Sequence, residues 1–136
     1  MYITRREQFS SAHKLINHQL TEEGNRKIFG KCLDLHGHNY ELFVTVTGSI
    51  NKTTGFIIDL KDLKKILIEK VINKLDHKYI NDVDFMRNKI TSTENLCLHI
   101  WEEIEKPIKA LGGNLYKIKI YETENHCFEY FGEKKN

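Results

Sequence analysis

The chain has 136 residues, of which 40% are hydrophobic and 29% charged, enough for one ordinary domain (residues 1–136) with its own core. Its net charge of +2 is spread over interspersed acids and bases, which gives no reason to expect nucleic acid or a membrane as partner. Three widely spaced cysteines make no disulfide framework, no apolar run approaches the roughly 18 residues of a membrane helix, and MYITRREQFSSAHKL carries no leader-type apolar core. The expectation is a reduced, cytoplasmic protein.

Tyr2 to His13 lacks helical periodicity and reads as a first strand. Ile16 to Gly30 is polar and reads as a long loop, a feature often tied to function. From His36 an alternation begins in which Tyr40, Leu42, Val44 and Val46 share one face. GSINKTTG (Gly48 to Gly55) reads as a hairpin turn and Phe56 to Ile58 as the return strand.

Asp59 then suits a helix N-cap, and Leu60, Leu63, Leu67 and Val71 predict an amphipathic helix over Leu60 to Leu75. A second helix opens near ITSTEN, where Thr91 and Glu94 fit a capping box. Its stripe is Leu96, Ile100 and Ile104 with Cys97 and Trp101, and Pro107 should end or kink it. Gly112-Gly113-Asn114 turns into a strand with Tyr116, Ile118 and Ile120 inward, and a short strand near Phe128 to Phe131 closes the chain. This is an α+β order: an antiparallel sheet with two helices on one face. The lysines at Lys61 to Lys65 and at Lys134-Lys135 read as solvated surface.

Chemistry concentrates in CLDLHGHNY (Cys32 to Tyr40). On a strand His36 and His38 point the same way, about 6–7 Å apart, close enough to share one zinc. They share the parity of the apolar face. His13, at the end of the first strand, reaches the same ion if the two strands are neighbours. Three imidazoles alone describe an open catalytic zinc. Cys32 as a fourth ligand would instead close the site and make it structural, and the spacing leaves both readings open. Glu122 follows Ile118 and Ile120 in parity. It either faces inward, where a carboxylate needs N–H donors such as a planar heterocycle presents, or is solvated because the parity breaks before Glu124-Asn125. His18, His99, His126, Cys97 and Cys127 suggest no chemistry.

FSSAHKL, FGKC, HGHNY, GFIIDL, LDHK, TSTEN and YETEN, in this order from about residue 7 to about residue 132, resemble the 6-pyruvoyl-tetrahydropterin synthase family, which includes the 6-carboxytetrahydropterin synthases. The resemblance implies a tunnelling-type fold (T-fold), with a four-stranded antiparallel sheet and two helices packed on one face, and zinc on His13, His36 and His38. It also implies a catalytic base at Cys32 that works with Asp76 and His77, and a pterin ring anchored by Glu122 with Ser92, Thr93 and Glu94 in contact. The implied substrate is 7,8-dihydroneopterin triphosphate. The implied assembly is a homohexamer, a dimer of trimers, with active sites between subunits. The short Cys32-to-His36 spacing is that of carboxy-forming members, so the expected product is 6-carboxy-5,6,7,8-tetrahydropterin with acetaldehyde, toward queuosine. FGKC and LYKIKIYETEN are similar instead to the pyruvoyl-forming branch, of the tetrahydrobiopterin pathway. Outside the family, the rival is a non-catalytic binding module stabilised by zinc.

Overall fold

The structure is a computed structural model that describes residues 1–133; the predicted lysine pair Lys134-Lys135 lies outside them. Its elements are β1 (Tyr2–His13), α1 (Glu22–Phe29), β2 (His36–Thr47), α2 (Leu60–Leu67), α3 (Asn73–Leu75), β3 (Lys78–Tyr79), α4 (Thr93–Ala110), β4 (Asn114–Thr123) and β5 (His126–Tyr130). The sheet runs β3-β1-β2-β4-β5, antiparallel throughout except for the two-residue edge strand β3, which lies parallel to β1. Four strands were expected and the fifth is this short edge.

One face of the sheet is apolar. Phe9, Tyr40, Leu42, Val44, Val46, Ile118 and Ile120 point to it and pack against Leu63 and Leu67 of α2 and Leu96, Ile100, Trp101 and Ile104 of α4. Both helices therefore cover the same face, as their apolar stripes require. Asp59 caps α2 by accepting from the Lys61 amide at 2.8 Å. The helical path to Leu75 contains a π-helical stretch, Ile68–Ile72, before α3.

Several local expectations give way to tertiary structure. Phe56 to Ile58 is not a strand, because β1 and β4 already occupy both edges of β2. Instead Ile57 and Ile58 are buried as loop residues. The turn itself is real: Asn51 accepts from the Gly55 amide at 2.7 Å, and the chain runs on into the Asp59 cap. Helix α4 passes through Pro107 to Ala110, held by Ile108, which is fully buried. Its N-cap is Ser92, which accepts from the Asn95 amide, not Thr91. On β4 a register shift beside Thr45/Val46 turns Tyr116 outward and sends Leu115 into the core in its place. Ile16 to Gly30 is not all loop, since α1 fills its second half. Asn25 is the buried residue of that helix, so no apolar stripe marked it. Its signals were the Thr21 cap, Glu22 and Glu23 in the first turn, Arg26 and Lys27 in the last, and Gly30 at φ 55° after it.

The α4–β4 turn has little room. A Cβ at Gly113 would lie 2.7 Å from Val46 Cγ1 and 2.9 Å from Ile58 Cγ2, both packed side chains. Gly113→Ala is expected to cost roughly 1–3 kcal/mol, read as a lower urea midpoint at unchanged m-value.

Candidate active site

Register brings the three histidines together. β1 and β2 pair so that His13 stands opposite His36 and Ser11 opposite His38. The ring centroids lie 4.5 Å (His13–His36), 5.3 Å (His13–His38) and 5.2 Å (His36–His38) apart. One nitrogen from each falls within 4.8 Å of the other two, a metal-type cluster. His13 is buried and the other two are half-exposed.

Each of two rings is aimed by its other nitrogen. His13 Nδ1 donates to the Thr91 carbonyl at 2.8 Å, and His36 Nδ1 donates to the Asp34 carbonyl at 2.7 Å. These bonds fix the tautomer and turn Nε2 toward the centre. His13 Nε2 is then a buried nitrogen with no protein partner, which a metal ion would satisfy. Desolvation by burial holds His13 and His38 below the ordinary imidazole value, so both are neutral donors. The residues present fit a divalent metal.

The supports are Thr91 and Asp34, to which the sequence reading gave no part in aiming the rings. Thr91 also donates its hydroxyl to the Lys14 carbonyl at 3.0 Å, tying the start of α4 to the end of β1. Arg26 of α1 grips the Asp34 carboxylate through two bonds of 2.9 and 3.0 Å, which steadies the carbonyl that holds His36. Neither role leaves a mark in sequence. The nearest signals were the Arg26-to-Asp34 charge pair and a threonine just before the α4 cap.

Glu122 faces inward. Its Oε1 accepts from the Thr93 hydroxyl at 2.8 Å and lies 3.7 Å from His38 Nε2, beside the imidazole cluster. The positive N-terminal end of α4 favours a carboxylate there. Of the other α4 residues predicted to meet a ligand, Thr93 is buried and bonded to Glu122, Ser92 caps the helix, and Glu94 is exposed in its first turn.

Cys32 is an exposed free thiol on the 3-10 turn Gly30–Leu33 and is not a member of the imidazole cluster. Its carbonyl accepts from the Leu15 amide at 2.8 Å, so the turn is fastened two residues past His13. Asp76 accepts from the Ser10 amide at 2.9 Å and contacts His77 Nδ1 at 3.0 Å. The Ser10 amide, then the His77 ring, hold the Asp76 carboxyl below its usual range. His77 takes a left-handed φ of 59°, unusual for a residue with a Cβ, and its amide donates to the Ser10 carbonyl. The ring is largely exposed and lines a cavity of about 500 Å³ with Ser10, Ala12, Gly37, His38, Asn39 and Tyr79. Within one chain it does not join the imidazole cluster. Burial pushes the Cys97 thiol up to about 12, as suits a core residue.

Residues 2–133 match the family model described as 6-pyruvoyl tetrahydropterin synthase. The 6-pyruvoyl tetrahydrobiopterin synthase of Dictyostelium discoideum is 46% identical over 132 residues, covering 96% of each chain. The structure of Caenorhabditis elegans 6-pyruvoyl tetrahydropterin synthase superposes with a TM-score of 0.87 at 32% identity, covering 98% of this chain and 96% of that one. A more distant archaeal relative, from Archaeoglobus fulgidus, is provisionally named a 6-carboxy-5,6,7,8-tetrahydropterin synthase; it is 31% identical and covers 89% of this chain and 87% of its own. Fold, motif order and relatives agree, and the chain belongs to the 6-pyruvoyl tetrahydropterin synthase family.

Proposed function

We propose that the chain is a zinc-dependent lyase that acts on 7,8-dihydroneopterin triphosphate, releases triphosphate and gives 6-pyruvoyl-tetrahydropterin. The observation that carries it is the set of three inward imidazoles, two of them aimed through Nδ1 by backbone carbonyls. An inward carboxylate lies beside them. The pyruvoyl product rests on the relatives: similarity is far higher to the pyruvoyl-named protein, at 46%, than to the carboxy-named one, at 31%. This reverses the product expected from the Cys32-to-His36 spacing alone. That spacing still favours the carboxy product as a second reading.

The chemical problem is removal of weakly acidic carbon-bound protons at neutral pH. Zinc held by His13, His36 and His38 would supply Lewis acidity toward the substrate's side-chain hydroxyls. Cys32 takes the carbon-bound proton as general base. His77 passes protons on while Asp76 fixes its ring through the 3.0 Å contact. Glu122, steadied by the Thr93 hydroxyl at 2.8 Å, holds the pterin ring so that its side chain meets these groups, and such placement can supply several kcal/mol of the barrier. Asp76-His77 is outside the imidazole cluster within one chain, and in a homohexamer, a dimer of trimers, each site would combine residues of two copies.

The test is incubation of the zinc-loaded protein with dihydroneopterin triphosphate, followed by mass spectrometry of the pterins and assays for triphosphate and acetaldehyde. The pyruvoyl pterin with triphosphate and no acetaldehyde is expected. A carboxy pterin with acetaldehyde would select the second reading, and no triphosphate release would reject both.

A further inference from the structure

Strand β1 ends at His13, and the backbone just beyond it is held by a side chain. The ladder between β1 and the edge strand β3 stops at Ala12 and Tyr79, two residues short of Lys14. There the Asn81 side chain takes over. Its Oδ1 accepts from the Lys14 amide at 3.1 Å, and its Nδ2 donates to the Lys14 carbonyl at 2.8 Å. A carboxamide suits this place because it offers a donor and an acceptor together, whereas a carboxylate offers acceptors alone. Asn81 stands in the 3-10 turn Ile80–Asp82, whose Ile80 is fully buried, so the core fixes where the amide is presented.

The same carbonyl fastens the metal site. It takes a second bond from the Thr91 hydroxyl at 3.0 Å, and Thr91 Oγ1 lies 3.3 Å from Asn81 Oδ1. The Thr91 carbonyl in turn accepts from His13 Nδ1 at 2.8 Å. The bonds therefore close a ring. Asn81 holds Lys14, Lys14 holds Thr91, and Thr91 holds the imidazole of the residue that precedes Lys14. His13 and Thr91 are each 1% exposed, so the ring closes in the interior. Out of it His13 Nε2 reaches the imidazole cluster with no protein partner of its own.

We propose that Asn81 is a positioning residue of the metal centre: its amide seats the Lys14 backbone and, through Thr91, fixes the direction in which His13 presents Nε2. Asn81 acts on the metal only through Lys14 and Thr91. The proposal rests on the reading of His13, His36 and His38 as metal ligands. Outer-shell bonds of this kind set ring orientation and so metal affinity.

The test measures zinc affinity by chelator competition in the full-length protein, together with the thermal midpoint of the metal-free form and kcat. Asn81→Ala and Asn81→Leu are each expected to weaken zinc about tenfold or more, the usual effect of removing an outer-shell support. Alanine admits water to serve Lys14, so Asn81→Ala stays readable where Asn81→Leu fails to fold. Thr91→Val removes the hydroxyl and keeps the carbonyl. Combined with Asn81→Ala it should weaken zinc by less than the product of the two single losses, because both act on one carbonyl. Saturating zinc should restore kcat, since the loss is one of affinity. Zinc affinity within about twofold of wild type in Asn81→Ala, or a full multiplicative loss in the double variant, would overturn the role. So would a kcat that stays low with the metal site full, which would assign Asn81 to the Asp76-His77 relay. A lowered midpoint with zinc affinity intact would make Asn81 scaffold alone and overturn it too. A wild-type chain that binds no zinc would sink the metal reading and this one together. A zinc-binding wild type with an indifferent Asn81→Ala sinks only the latter.

Discussion

His36→Ala is expected to empty the metal site and abolish turnover while leaving the fold in place. His36 is half-exposed, and its Nδ1 partner is the Asp34 carbonyl on a segment open to solvent, so water replaces the lost bond at little cost. A three-imidazole site has no spare ligand. Even outer-shell changes cost 10–100-fold in metal affinity, and loss of a ligand should exceed that. Zinc measured by atomic absorption should drop from about one per chain toward zero, with circular dichroism unchanged. His13→Ala should lose the metal equally and stability as well, by about 1–3 kcal/mol, because it strands the Thr91 carbonyl in the interior. Chelation of the wild type should reproduce the His36 result: a folded, inactive chain that zinc restores. Unfolding on chelation would instead support the structural-zinc module.

Cys32→Ala should do the opposite to the metal. Its thiol lies outside the imidazole cluster and is exposed, so zinc content should stay at about one per chain and stability should move by no more than about 0.5 kcal/mol. Turnover should fall about 10²- to 10⁴-fold, the usual contribution of a positioned base. A loss of zinc in this variant would return Cys32 to the role of fourth ligand. The same substitution tests the shared site. If the base and Asp76-His77 reach a site from different copies, mixing Cys32→Ala with His77→Ala subunits should regain activity that neither has alone. Mixtures as inactive as their components would mean that one chain supplies both.

Core and helices were legible because each is a local pattern. Period two on β2, helical spacing on α2 and α4, and a short capping side chain are read one element at a time. The same parity put His36 and His38 on the inward face; it left Glu122 open between inward and solvated, and the structure turns it inward. Helix α1 was missed because it buries an asparagine and not an apolar stripe, and the return strand was wrongly predicted because occupation of both β2 edges is not a property of Phe56 to Ile58. Family motifs, more than periodicity, pointed to Cys32, Asp76 and His77.

By itself, then, the sequence determined the two strand faces, the two amphipathic helices and the donor atoms available to a metal, since these follow from spacing along the backbone. The tertiary structure alone decided that His13 stands opposite His36, that Thr91 and Asp34 aim the rings, and that Cys32 stays outside the cluster. Strand pairing and carbonyl direction depend on residues tens of positions apart, and no local pattern encodes which of them meet.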